Sequence, residues 1–288
     1  MSLLKWIAIT LASTALAHTV GSGAEPDDLG ARDWCGTVAK PDWLLADSVR
    51  VAEHAEKRQT ARQSSITVST YFHVVANSTR IQDGYLSDEM LTDQLQVLNE
   101  DFASSYISFQ LLDVSRTVNR TWATSIDTRD HLEMQKALRR GTYSALNIYF
   151  RTYVGDPDDG QALLGLCTLP DTFPTGSNNF YRDGCMVLHS TVPGGSRPGK
   201  TTTHEVGHWF GLLHTFEGGC TGVGDGVADT PAEASPSRSC NLTRDTCPNQ
   251  SGYDPVENFM DYSPSPCRKE FTPGQSARMW GWWSFFRG

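Results

Sequence analysis

Hydrophobic positions change period several times along the chain. Residues 66–75 are β-branched and aromatic almost throughout, from Ile66 and Val68 to Phe72 and Val75, and predict a strand. Residues 87–102 carry Leu91, Leu95 and Leu98 at helical spacing behind Ser87 as N-cap, and predict a helix. Residues 107–114 read as a second strand, 131–138 as a helix stopped by Gly141, 145–150 as a third strand, 163–169 as a fourth and 185–189 as a fifth. Residues 201–212 predict a further helix. From Gly218 to Cys267 the periodicity fades into Gly, Pro, Asp, Ser and Cys, a composition that needs covalent staples. Residues 275–286 close the chain as an aromatic helix. No internal repeat interrupts this order. Strands and helices first, then an irregular stapled half, predict one α+β domain in two subdomains.

The N-terminal stretch has another character. One positive charge at Lys5 precedes an apolar run over residues 6–16, and Ala15-Leu16-Ala17 forms a small-residue cleavage signal. That layout predicts a secretory signal peptide over residues 1–17, too short in its apolar part to span a bilayer of about 30 Å. Residues 18–60 are polar and charged and read as an N-terminal extension or prosegment. Residues 61–288 are expected to form the folded domain. Secretion makes the sequons at Asn77, Asn119, Asn241 and Asn249 candidate glycan sites, provided the source is eukaryotic, and it makes oxidised cysteines the expectation.

Composition narrows the partners. With 39% hydrophobic residues the 288-residue chain can build a core, and its formal charge of −9 argues against a nucleic-acid or anionic-membrane binder. No later segment is apolar enough to span a membrane. With the expected leader, this leaves an extracellular monomer without nucleic-acid or membrane partners as the expectation.

The chemistry concentrates in His204-Glu205-Val206-Gly207-His208-Trp209-Phe210-Gly211-Leu212-Leu213-His214. A helix turns by roughly 100° per residue, so His204 and His208 project from one face, one turn apart. That spacing suits two corners of a tetrahedral Zn²⁺. Gly211 can take a left-handed conformation, end the helix and swing His214 back as third ligand. Three protein ligands leave one position open, the mark of a catalytic site, and Glu205 lies where a general base is needed. The eleven-residue spacing is far more specific than its first five residues alone. A Met-containing turn belongs with it, and Met260 followed by Tyr262 supplies one. Met260 would floor the site and Tyr262 would face the oxyanion.

These segments resemble the pappalysin (cytophagalysin) family of metzincin metallopeptidases, in particular its secreted fungal extracellular members. The resemblance rests on the zinc motif with His214-Thr215-Phe216, on residues 224–231, on Asn258-Phe259-Met260-Asp261-Tyr262-Ser263, on residues 271–279 and on residues 96–102. It covers the chain from about Ile66 onward. It implies a metzincin-like catalytic domain: a mixed twisted sheet with the zinc-site helix above, an irregular disulfide-stapled subdomain below. It also implies secreted, zinc-dependent endopeptidase activity. His204, His208 and His214 would hold the ion, Glu205 would act as general base, and Tyr262 would share the developing charge. The segment from Gly165 to Leu169 resembles the rim strand along which an extended substrate lies. An acid in the pocket beside the Met-turn would favour basic side chains after the scissile bond. The turn continues Pro264-Ser265-Pro266-Cys267 without one, so basic specificity is not expected.

The seven cysteines leave one over. Cys220, Cys240, Cys247 and Cys267 allow three pairings. Their equal spans suggest Cys220–Cys247 with Cys240–Cys267, and the resemblance supports Cys220–Cys247. Each loop would contribute roughly 3–4 kcal/mol on the chain-entropy model. Cys167 and Cys185 are offered as a pair between adjacent strands. Cys35 stands alone and keeps two readings. One is a free or intermolecular thiol. The other, which the resemblance makes plausible, is a cysteine switch occupying the open zinc position until the prosegment is cut. Asp225 and Asp229 are candidates for Ca²⁺, as in relatives, and equally read as turn-forming aspartates.

Two rival readings exist. Residues 194–201, from Gly194 to Thr201, satisfy a phosphate-loop pattern. The same helix carries the zinc ligands and no Mg²⁺-binding Asp ends an apolar strand, so an NTPase is rejected. A non-catalytic zinc-containing binder would ordinarily have lost Glu205 or a ligand, and all are present.

Overall fold

A computed structural model of the protein describes residues 35–37, 65–156 and 160–288. The expected signal peptide, and the extension apart from residues 35–37, lie outside the described residues. Strand β1 (Ile66–Ala76) lies second from one edge of a five-stranded sheet. Around it lie β2 (Ile107–Val118), β3 (Leu146–Arg151), β4 (Gly165–Cys167) and β5 (Cys185–Leu188), in the order β2-β1-β3-β5-β4. All neighbours run parallel except β4, which is antiparallel to β5 and forms one edge. The sheet is therefore mixed.

The period-2 alternation separates two layers. Phe72, Val74, Ile148 and Phe150 point to the main core, and Val75 and Tyr149 to a smaller one. The main core is closed by helix α1 (Asp88–Phe102) through Leu91, Leu98 and Phe102, and by the buried helix α5 (Lys200–Trp209). Ser87 caps α1 by accepting from Met90 N, as the sequence predicts. On the other face, helices α2 (Arg120–Thr124) and α3 (Thr128–Leu138) supply Ala123, Met134 and Leu138. Helix α4 (Asn178–Arg182) is the remaining short helix before β5.

Several boundaries differ from expectation, each for a local reason. Strand β2 runs on to Val118, paired with β1 on both sides of a bulge at Leu112. Helix α3 starts earlier, at Thr128 behind Asp127 as N-cap, and it ends at Arg139 before Gly141 is reached. Helices α2 and α4 are too short to carry a readable period and show in sequence only as their caps, Asn119 and Ser177. Strand β4 has three residues rather than seven.

Between α5 and helix α6 (Pro273–Trp282) no further helix or multi-residue strand forms among the described residues. This irregular part is held by Cys220–Cys247 and Cys240–Cys267, while Cys167–Cys185 joins edge strand β4 to its neighbour β5. Arg244 adds ion pairs to Glu233 at 2.6 Å and Asp254 at 2.5 Å. Helix α6 opens with a capping box between Thr272 and Gln275. Its last turn loosens into a π-helical segment, Trp283–Arg287. There Arg287 pairs with buried Asp183 at 2.8 Å and stacks 3.7 Å over the Trp209 ring, which pins the C-terminus to the end of α5. No helix among the described residues is long and apolar enough to cross a membrane.

Candidate metal centre

Helix α5 enters from Gly199, whose φ of 85° makes the left-handed N-cap. Lys200 and Thr203 both bond Asp101 of α1, Thr203 Oγ1 at 2.6 Å, so the first turn is clamped to its neighbour. Lys200 is thus committed to a carboxylate, not turned toward a phosphate site. The helix ends at Trp209, and Gly211 reverses the chain at φ 90°. A Cβ on Gly211 would lie 2.7 Å from the Trp282 ring, so the turn requires glycine twice over. Arg278 Nε donates to Gly211 O at 2.7 Å and fixes the reversal.

The result is a convergence of three imidazoles. His204 Nδ1 lies 2.8 Å from Phe259 O, and His208 Nδ1 lies 2.8 Å from Leu212 O. A carbonyl only accepts, so both rings carry their proton on Nδ1 and turn Nε2 lone pairs inward. His208 Nε2 is 3.2 Å from His204 Nε2 and 3.1 Å from His214 Nε2. Burial holds His204 and His208 well below the ordinary imidazole value, so neither relieves the crowding by becoming charged. Tetrahedral ligands with bonds of about 2.0–2.1 Å stand roughly 3.3 Å apart, so the three nitrogens fit one such ion. Cys35 Sγ completes the group, with all four ligand atoms within 4.8 Å of one another.

Glu205 is fully buried between this group and β4. Its Oε2 accepts from Cys35 Sγ at 3.3 Å and its Oε1 has no partner among the described residues. Burial pushes its carboxyl up to about 8, against the smaller opposing effects of the Cys35 bond and of Arg268. Tyr262 Oη lies 3.1 Å from His214 Nε2. Met260 is buried beneath the helix, its sulfur in contact range of the space a Gly207 side chain would fill. Reciprocal bonds of 2.8 and 3.0 Å between Asn258 and Gln275 hold the Met260 turn against α6.

Residues 35–37 lie along the free edge of β4. Gly36 N donates to Gly165 O at 3.0 Å, and Thr37 Oγ1 bonds both Cys167 N and Cys167 O. Burial and the neighbouring Glu205 raise the Cys35 thiol well above its ordinary value.

The remaining expected residues sit apart. Asp225 Oδ1 accepts from Val227 N at 3.0 Å, and Asp229 accepts from Thr272 Oγ1 and Gly274 N, so both act on local turns and on the start of α6. Asn241 and Asn249 are exposed; Asn77 and Asn119 are half-buried, with Asn119 Oδ1 capping α2. Sequence reading placed Gly165 on the rim strand but not its close approach to Glu205, and it missed Asp183 and Arg268. A glycine inside a predicted strand is a recognised sign of close approach and marked the first. The other two carried no local signal.

A family model described as Peptidase_M43, pregnancy-associated plasma protein-A, matches residues 152–283. An extracellular metalloprotease of Colletotrichum graminicola is 52% identical over 79% of this chain and 79% of its own. Extracellular metalloprotease 1 of Coccidioides posadasii is 47% identical over 94% of this chain and 96% of its own. Among solved structures, mature mirolysin of Tannerella forsythia in complex with a cleaved peptide superposes with a TM-score of 0.60, at 29% identity, over 76% of this chain and 91% of that one. The identity and coverage of these relatives mean that the chain belongs to the pappalysin family of metallopeptidases.

Proposed function

We propose that the protein is a secreted zinc endopeptidase that cleaves extracellular proteins, held latent by its own N-terminal segment. The observation that carries this reading is the convergence of His208 Nε2 on His204 Nε2 and His214 Nε2 at 3.2 and 3.1 Å, beside an unpartnered Glu205 oxygen. His204, His208 and His214 would hold the ion, which when bound supplies Lewis acidity and lowers the pKa of water.

The rest of the work falls to the chain. The β4 edge, with Gly165 O at its start, would pair with an extended substrate backbone. Glu205 Oε1 would take the proton of the attacking water and pass it to the leaving nitrogen. Tyr262 Oη would donate to the oxyanion that forms at the scissile carbonyl. Met260 and the Asn258–Gln275 pair keep the floor of the site in place.

Latency follows from residues 35–37. They take the β4 edge that a substrate would need, and Cys35 Sγ sits with the three imidazole nitrogens as a fourth ligand. Residues 18–60 would then be the prosegment, residues 1–17 the leader, and the exposed Asn241 and Asn249 the most accessible glycan acceptors. The names of the relatives, extracellular metalloproteases, support secretion.

The test is metal analysis joined to casein cleavage by the processed enzyme. One zinc per chain is expected, with activity abolished by a chelator and restored by Zn²⁺. Cleavage that persists in the metal-free protein contradicts the proposal.

A further inference from the structure

Arg268 is the exception among the buried arginines. Arg139 and Arg287 pair with Asp183. Arg151 donates to the carbonyls of Trp122 and Ser125, and Arg278 to that of Gly211. Arg268 is 4% exposed and, among the described residues, makes one hydrogen bond, Nη2 to Ser265 Oγ at 3.1 Å. Its Nε is buried without a partner, and no carboxylate lies within 4.0 Å of it among the described residues. A buried guanidinium with one neutral partner is costly, because removing the charge from water is not offset by a counter-charge.

The surrounding charges do not resolve this. Those that act on Arg268 are Asp261, Asp101, Glu205 and Arg197. Asp101 is committed to Lys200 and Thr203, and Asp261 Oδ1 accepts from Ser237 N. Glu205 belongs to the reaction, and Arg197 adds a like charge.

Arg268 also faces a particular space. It lines a small pocket at the metal centre with Leu164, Thr201, His204, Glu205, Tyr262 and the Cys35 thiol. Glu205 is the group that returns a proton to the leaving nitrogen, so a pocket on its side of the centre receives the residue carrying that nitrogen. Leu164 gives this space an apolar wall, and Arg268 is its permanent positive charge.

We propose that Arg268 sets the side-chain preference of the enzyme, selecting an acidic residue, Asp or Glu, immediately after the scissile bond. The inference rests on the peptidase reading above. A substrate carboxylate would supply the counter-charge that the fold withholds, and a guanidinium accepts it through two parallel hydrogen bonds. An apolar or basic side chain would leave the charge unpaired or add to it.

The experiment is cleavage-site mapping of a proteome-derived peptide library by the processed enzyme. It is followed by kcat/KM on matched peptides with Glu, Gln, Leu or Lys after the scissile bond. Asp and Glu should be enriched at that position, with the Glu peptide favoured at least ~10-fold over Gln and Leu, and Lys cleaved slowest. Arg268→Met, of similar length and without charge, should lose the Glu preference while still cleaving the Leu peptide. A wild-type map without acidic enrichment overturns the inference and leaves the peptidase reading intact, whether or not the variant folds. An R268M enzyme that still prefers Glu overturns the assignment to this residue. A wild type inert on library and casein alike defeats both readings.

Discussion

Gly165 and Glu205 share one space: a Cβ on Gly165 would lie 2.6 Å from Glu205 Cγ and 2.8 Å from Oε1. The edge strand thus omits a side chain where the proposed base must stand. The atoms in conflict belong to a movable side chain, so Gly165→Ala should fold but displace the carboxylate. We expect kcat/KM to fall about 10–100-fold, since an ångström of misplacement can have that effect, with the melting temperature within about 4 °C of wild type. Unchanged turnover by G165A would show that Glu205 tolerates displacement.

At Gly211 the conflict is with a rigid ring and with the backbone itself. Gly211→Ala would hold a non-glycine residue at φ 90° against Trp282. Left-handed strain and overpacking together should cost about 2–4 kcal/mol in denaturant unfolding. Because this turn returns His214 to the site, zinc content by elemental analysis should fall as well. Full zinc occupancy with unaltered stability would contradict the role given to the turn.

How far the site could be read in advance depends on whether its parts lie close in the chain. His204, His208, Gly211 and His214 sit within one helix and its turn, so spacing alone places them together. Met260 was found because a turn of known composition follows the motif. The sheet was legible as elements, since β1 and β3 carry strong β-branched runs, but its order was not, because register is set by contacts distant in sequence. Asp183 with Arg287, and Arg268 beside Glu205, meet only through the fold. No local pattern distinguishes Arg268 from an exposed arginine after Cys267. Strand β4 was read too long because Leu163, Leu164 and Leu169 are apolar for packing reasons beyond three paired residues.

Burial of Asp225 gives stability a defined pH dependence. Desolvation pushes its carboxyl up to about 7 from an ordinary value of 3.8. The folded state therefore keeps the proton longer than the unfolded state, and stability falls as pH rises from about 4 through about 7. Asp225→Asn keeps the acceptor for Val227 N and does not titrate. Its stability relative to wild type should rise across that window by an amount on the order of 2–4 kcal/mol. Parallel stability curves for the two proteins from pH 4 to 8 would show that the carboxyl titrates in the fold as it does in the unfolded chain.

Cys35 and Glu205, 3.3 Å apart, make latency testable without any cleavage. The uncut Cys35→Ala chain should cleave casein at least ~10-fold faster than the uncut wild type, because thiolate is a strong zinc ligand and alanine offers none. Both should converge once the N-terminal segment is removed. An uncut variant as inactive as wild type would mean that residues 36–37 on the β4 edge suffice for inhibition, or that Cys35 has no inhibitory role.

The chemistry assigned to Glu205 can be isolated from metal binding, because Glu205 is not among the ligand group. The decisive comparison is Glu205→Gln against wild type as processed enzymes, with zinc content and casein cleavage measured on the same samples. We predict one zinc per chain in both and a loss of at least ~10³-fold in turnover for the variant, within the range expected when general acid–base catalysis is removed. Wild-type turnover in a fully zinc-loaded Glu205→Gln enzyme would contradict the proposed mechanism.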